Sequence, residues 1–65
     1  MPIYFITAED MLEIVITWMN DKSVNLNRYI SEENDKYISI DNTSGECWTG
    51  EFTTLQEAIS WLLDK

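Results

Sequence analysis

Thr7-Ala8-Glu9-Asp10-Met11-Leu12-Glu13-Ile14-Val15-Ile16-Thr17-Trp18-Met19 decides the fold, because it carries two opposed signals. Ile14-Val15-Ile16-Thr17 has the β-branched run of a strand. Against it, a threonine followed three residues later by a carboxylate can cap the free N–H groups of a helix start, and Glu9 with Asp10 favours the positive end of the helix dipole. Ile6 and Met11 are spaced as a hydrophobic staple, and Ala8, Met11, Leu12, Val15, Trp18 and Met19 follow the i, i+3, i+4, i+7 pattern. Cap and periodicity together predict a helix over residues 8–20. Ile14 and Ile16 widen its apolar face and leave a polar strip of only Glu9, Glu13 and Thr17. So wide a face either sits centrally, wrapped by the sheet and a second helix, or is partly exposed for self-association.

Beyond Asn20-Asp21-Lys22-Ser23 the period changes to two. Val24, Leu26, Arg28 and Ile30 alternate with Asn25, Asn27, Tyr29 and Ser31, and Glu32-Glu33-Asn34-Asp35 is polar enough to turn. Tyr37-Ile38-Ser39-Ile40-Asp41 alternates again, Asn42-Thr43-Ser44-Gly45 ends it, and Glu46-Cys47-Trp48-Thr49-Gly50-Glu51-Phe52 makes a third strand. A three-residue loop with Gly45 in the left-handed position sets Ile40 opposite Trp48 and Ile38 opposite Gly50. The inner face is then apolar, and Tyr37, Ser39, Asp41, Cys47, Thr49 and Glu51 form a polar, acidic outer face. A four-residue loop, opposing Ile40 to Cys47, would mix the two.

Thr54-Leu55-Gln56-Glu57 is a second capping box, opening a helix over residues 55–64 with Leu55, Ala58, Ile59 and Leu62 buried. Ile3 to Ile6 reads either as a short edge strand or as an extended lead-in. The expected fold class is therefore α+β: a single domain over residues 1–65, with two helices packed on one face of a three-stranded antiparallel meander. Its element order is α-β-β-β-α, and Trp18, Trp48 and Trp61 supply much of the core.

Composition narrows the chemistry. Sixty-five residues hold one small core, and 45% hydrophobic residues are too many for a disordered tail. With no histidine and one cysteine, the usual metal ligands, a disulfide framework and Cys-His or Ser-His-Asp catalysis drop out. Cys47, beside Glu46 and near Glu51, lies where negative charge disfavours a thiolate. Asp41-Asn42-Thr43-Ser44-Gly45-Glu46 has its glycine one place too early for a calcium loop, and Phe52 stands where the closing glutamate belongs. No enzyme activity, metal or cofactor is expected. The N-terminal residues carry no basic flank, and the longest apolar stretch is far short of the roughly 20 residues that span a bilayer, so a cytoplasmic protein is expected.

Twelve acidic against four basic residues leave a net charge of −8. A surface of this sign repels phosphates, so direct nucleic-acid binding is not expected, and it would steer the chain toward a basic protein. The expected element order resembles that of the double-stranded-RNA-binding domain. That likeness implies RNA contacts through a basic cluster opening the last helix, but Thr53-Thr54-Leu55-Gln56-Glu57 carries no positive charge there. In size and charge the chain is also similar to small acidic phage and mobile-element inhibitors of the anti-CRISPR and DNA-mimic kind. These likenesses imply a non-enzymatic module occupying the basic, nucleic-acid-binding surface of a partner enzyme. The expected contact residues are Glu32, Glu33, Asp35, Tyr37, Asp41, Glu46 and Glu51. The rival expectation is a small subunit or homodimer associating through the apolar first helix.

Overall fold

The computed structural model describes residues 2–64. In chain order these form β1 (Ile3–Ile6), α1 (Ala8–Asn20), β2 (Arg28–Glu33), β3 (Lys36–Asp41), β4 (Trp48–Phe52) and α2 (Leu55–Leu63). The meander is present, and Ile3–Ile6 is a true strand that extends it to a four-stranded sheet of order β1-β2-β3-β4. β1 pairs with β2 in parallel, Ile3 opposite Arg28 through Ile6 opposite Ser31, while the other two pairings are antiparallel. A parallel neighbour needs a crossover, and α1 supplies it.

Both helices start as their caps dictate. Thr7 Oγ1 accepts from the Asp10 N–H at 3.1 Å, and Ile6 packs against the Met11 cluster as the staple requires. Thr54 Oγ1 accepts from the Glu57 N–H at 3.2 Å and donates to the Glu57 carboxylate at 2.9 Å. The β-branched run in α1 loses to these local bonds because its side chains find a buried surface in helical register: Ile14 and Val15 pack with Met11, Tyr29 and Ile40.

The helices lie on opposite faces of the sheet rather than on one. Met11, Tyr29 and Ile40 form the core beneath α1, and Ile30, Ala58 and Leu62 form a separate one beneath α2. Neighbouring residues Tyr29 and Ile30 point to opposite sides, each into its own core. The reason lies in three small residues. Ser39 opposes Gly50 across β3 and β4, the buried Ser39 hydroxyl donates to the Ala58 carbonyl at 3.1 Å, and Gly50 lies beneath Phe52 and Trp61. A Cβ on Gly50 would stand 2.8 Å from the Phe52 ring and 3.3 Å from Trp61. This floor admits α2 at close range and so claims the face of Ser39, leaving Ile38 and Ile40 to α1.

The β3–β4 register shifts accordingly. Ile40 opposes Thr49, Ile38 opposes Glu51 and Asp41 opposes Trp48, across a loop longer than the expected three residues. Expecting one apolar and one polar face favoured the wrong pairing, because here both faces carry a helix. The β2–β3 turn is tighter than expected. Asn34 and Asp35 both have positive φ, 53° and 63°, and make a two-residue hairpin of the type that matches strand twist, so β2 runs on through Glu33. Residues 24–27, expected to begin that strand, form a loop. Trp48 is 52% exposed and Trp18 and Trp61 are half-buried, so the aromatic core expected of the three tryptophans gives way to aliphatic residues, Ala58 and Tyr29.

Asn42 closes one end of the molecule. Buried, it donates from Nδ2 to the Asn25 carbonyl at 2.9 Å and accepts at Oδ1 from the Cys47 N–H at 3.0 Å. Its own N–H bonds the Asn27 carbonyl. Asn25 in turn donates to the Ile14 carbonyl, and the Trp18 indole N–H to that of Gly45. The two long loops and the second half of α1 are thus sewn together.

Gly50→Ala tests the packing of the Phe52 and Trp61 rings over Gly50. The added methyl has no free volume, so it is expected to cost about 1–3 kcal/mol in chemical denaturation, against within about 0.5 kcal/mol for Thr49→Ala on the exposed neighbour. Equal midpoints would show that the Phe52 and Trp61 rings do not close over Gly50.

Candidate functional site

The strand directions gather charge at one end of the molecule. Glu33 pairs with Lys36 at the β2–β3 hairpin, and Glu51 on β4 sits within 2.9 Å of Lys36. The β1 strand ends opposite Ser31, which brings Thr7 and Asp10 of the α1 start beside Glu32, and Leu55 of the α2 start lines the same groove. Asp10, Glu32, Glu33, Asp35, Glu51 and Glu57 therefore meet from separate parts of the chain. Helix starts carry partial positive charge, which Glu9, Asp10 and Glu57 neutralise in part. Lys36 offsets little, since its pair with Glu51 is more than half exposed and such pairs contribute about 0–1 kcal/mol.

The expected contact residues divide. Glu32, Glu33, Asp35 and Glu51 are exposed at this end, and Tyr37 stands there half-buried, one side packed toward the core beneath α2. Glu46 is exposed but lies in the loop after Asp41, at the opposite end of the sheet. Asp41 is no surface residue. It is 5% exposed, accepts from the Thr43 N–H and hydroxyl at 3.1 and 2.7 Å, and lies 3.7 Å from Arg28 Nε, within ion-pair reach but beyond a hydrogen bond. The free outer sheet face on which it was expected does not exist, because α2 covers it. The acids form a cap on one end, not a strip along a strand.

Phe5, Thr7, Asp10 and Leu55 were not legible as part of this end. Only the parallel pairing of β1 brings the first two elements here, and an unbroken apolar tetrapeptide, Ile3-Tyr4-Phe5-Ile6, carries no alternation from which to read that pairing. A groove of about 450 Å³ results, with Phe5, Ile6, Ile30, Tyr37 and Leu55 as its apolar wall and Thr7, Asp10, Ser31 and Glu32 as its polar one. A second groove, of about 410 Å³, runs between α1 and the uncovered half of the sheet, lined by Leu12, Val15, Ile38, Ile40 and Thr49 with Glu33 at one end.

Among the described residues no group of three or more acids, cysteines or histidines is placed to hold a metal ion, and no helix is long and apolar enough to cross a membrane. Cys47 lies in the β3–β4 loop with φ of 54°, packed toward the core beneath α1. Burial raises its thiol above the ordinary value, against a smaller downward pull from Lys22. Comparison with known protein families, with curated proteins and with solved structures finds no match to this chain.

Two measurements follow from these placements. Asp41→Lys, which buries a cation beside half-buried Arg28, is expected to cost about 3 kcal/mol or more, while Glu33→Lys stays within about 0.5 kcal/mol in the same denaturation series. Comparable losses would mean that Asp41 is exposed after all. Cys47, its thiolate disfavoured, should react with iodoacetamide at pH 8 several-fold more slowly, roughly, than an unstructured peptide thiol, and reach the peptide's rate once the chain is unfolded.

Proposed function

We propose that this chain is a non-enzymatic binding module whose acidic end engages a basic surface on a partner protein. The observation that carries the reading is the convergence of Asp10, Glu32, Glu33, Asp35 and Glu51 from three separate elements and a turn onto one end of the fold. Clustered carboxylates raise the association rate with a basic surface and suppress binding to acidic ones. The commonest basic surface of a size to receive such an end is one that holds nucleic acid, so a nucleic-acid-binding enzyme inhibited by occupation of its groove is the partner class this reading favours. Such a module acts in the compartment of its partner, which for nucleic-acid enzymes of phage and mobile-element hosts is the cytoplasm. Tyr37 adds a rigid aromatic contact beside the acids.

A second reading rests on a different observation. Leu12, Ile16 and Met19, spaced by four and three residues along one flank of α1, are 62%, 50% and 62% exposed. That stripe borders the groove over β3 and β4, and two copies could bury it against each other as a homodimer. Salt separates the readings, since charge-steered binding weakens steeply with ionic strength while apolar association does not.

Immobilised protein is expected to retain basic nucleic-acid-binding proteins at low salt and release them well below 1 M. Glu32→Lys combined with Glu33→Lys and Asp35→Lys should abolish retention with circular dichroism unchanged. Retention that survives both salt and the triple reversal would overturn the acidic-end reading, and a sedimentation coefficient rising with protein concentration would transfer the interface to Leu12, Ile16 and Met19.

A further inference from the structure

We propose that the groove between β1, the β2–β3 hairpin and α2 is a seat for one arginine side chain of the partner, its stem along Phe5 and Leu55 and its guanidinium between Tyr37, Asp10 and Glu32. The inference rests on the acidic-end reading and names the element of the partner that this end takes. The groove carries complementarity of both kinds. Its lining holds two carboxylates and no basic residue, and its apolar wall includes Phe5, which is 61% exposed, and Leu55. A diffuse acidic surface needs no such wall. A long cationic side chain does, because its methylene stem covers apolar surface while its head remains polar.

The groups facing the groove are also unengaged. Among the described residues neither the Asp10 nor the Glu32 carboxylate takes part in a hydrogen bond or ion pair, whereas Glu51 is held by Lys36 and Glu57 by Thr53 and Thr54. Guanidinium fits the set better than ammonium, since its plane stacks on aromatic faces and its fork serves two carboxylates at once. The volume, about 450 Å³, falls in the range of roughly 300–1,000 Å³ typical of small-ligand sites.

The experiment uses two probes on the whole chain. N-acetyl-arginine methylamide, titrated at low salt, is expected to move the amide resonances of Phe5, Asp10, Ser31, Glu32 and Tyr37 ahead of all others, and its neutral citrulline counterpart is expected not to. Affinity for a nona-arginine peptide should then fall roughly three- to tenfold on Phe5→Ala or Glu32→Gln, and less on Glu51→Gln, which lies on the same end but outside the groove. Shifts spread evenly over all the acids, or Glu32→Gln and Glu51→Gln weakening the peptide equally with Phe5→Ala silent, would overturn the seat while leaving the acidic end as a diffuse binding surface. Nona-arginine failing to bind at low salt would overturn both. The resonance map of the unaltered protein decides the matter even if a variant fails to fold.

Discussion

The close contact of α2 with the sheet over Ser39 and Gly50 is the constraint on which the other arrangements depend. Two small residues paired across β3 and β4 make a shallow floor, which α2 meets through Ala58 over Ser39 and Trp61 over Gly50. The Ser39 hydroxyl has nowhere to reach water there, and its bond to the Ala58 carbonyl removes what would otherwise be a cost of about 1–3 kcal/mol. Once that face belongs to α2, alternation along each strand sends Tyr29, Ile38 and Ile40 the other way. α1 must then cover them from the opposite side, and β1 must enter parallel to β2. The split into two small cores is thus one consequence of a single tight contact.

The two ends of the sheet are finished differently. At one, Asn42 binds both long loops, and Asp41 and Thr43 brace the turn that follows β3. Lys22 lies 3.9 Å over the Trp18 ring and donates to the Met19 carbonyl, which gives the end of α1 a positive charge suited to its dipole. Most of the hydrogen bonds there join a side chain to the backbone of another loop or of α1. At the other end the carboxylates are exposed, and the hairpin between Glu33 and Lys36 is only two residues long. The groove wall of Phe5, Tyr37 and Leu55 is carried on the sheet and α2, while the Asp10 and Glu32 carboxylates beside it make no hydrogen bond or ion pair among the described residues.

Local chemistry was the legible part. Thr7 with Asp10, and Thr54 with Glu57, place both helix starts within a residue, and Tyr37 to Asp41 reads as a strand because its alternation is clean. What failed was the assignment of faces, and for a physical reason: a strand buried on both sides has no polar face to distinguish. Trp48, large and apolar, looked like core, yet the small residues Ser39 and Gly50 carry more information, since they mark where a helix comes close. The same error moved Asp41 to the surface. It left Asp10 and Phe5 out of the acidic end as well, because proximity through a parallel strand pairing leaves no mark in a tetrapeptide that is apolar throughout. Glu32, Glu33 and Asp35 were recoverable because they share one turn.

β1 lies at the rim of the sheet with one neighbour only, and none of Ile3, Tyr4, Phe5 or Ile6 carries a charge. Its free side offers backbone N–H and carbonyl groups to any other strand, the arrangement that native sheets ordinarily blunt with lysine, proline or a bulge. Here the guard is supplied by the net charge of −8, with Asp10 and Glu32 next to the strand's end. As pH falls toward the isoelectric point of the sequence, near 4.1, that repulsion fades, and the uncharged rim of β1 loses a guard that its own residues do not provide.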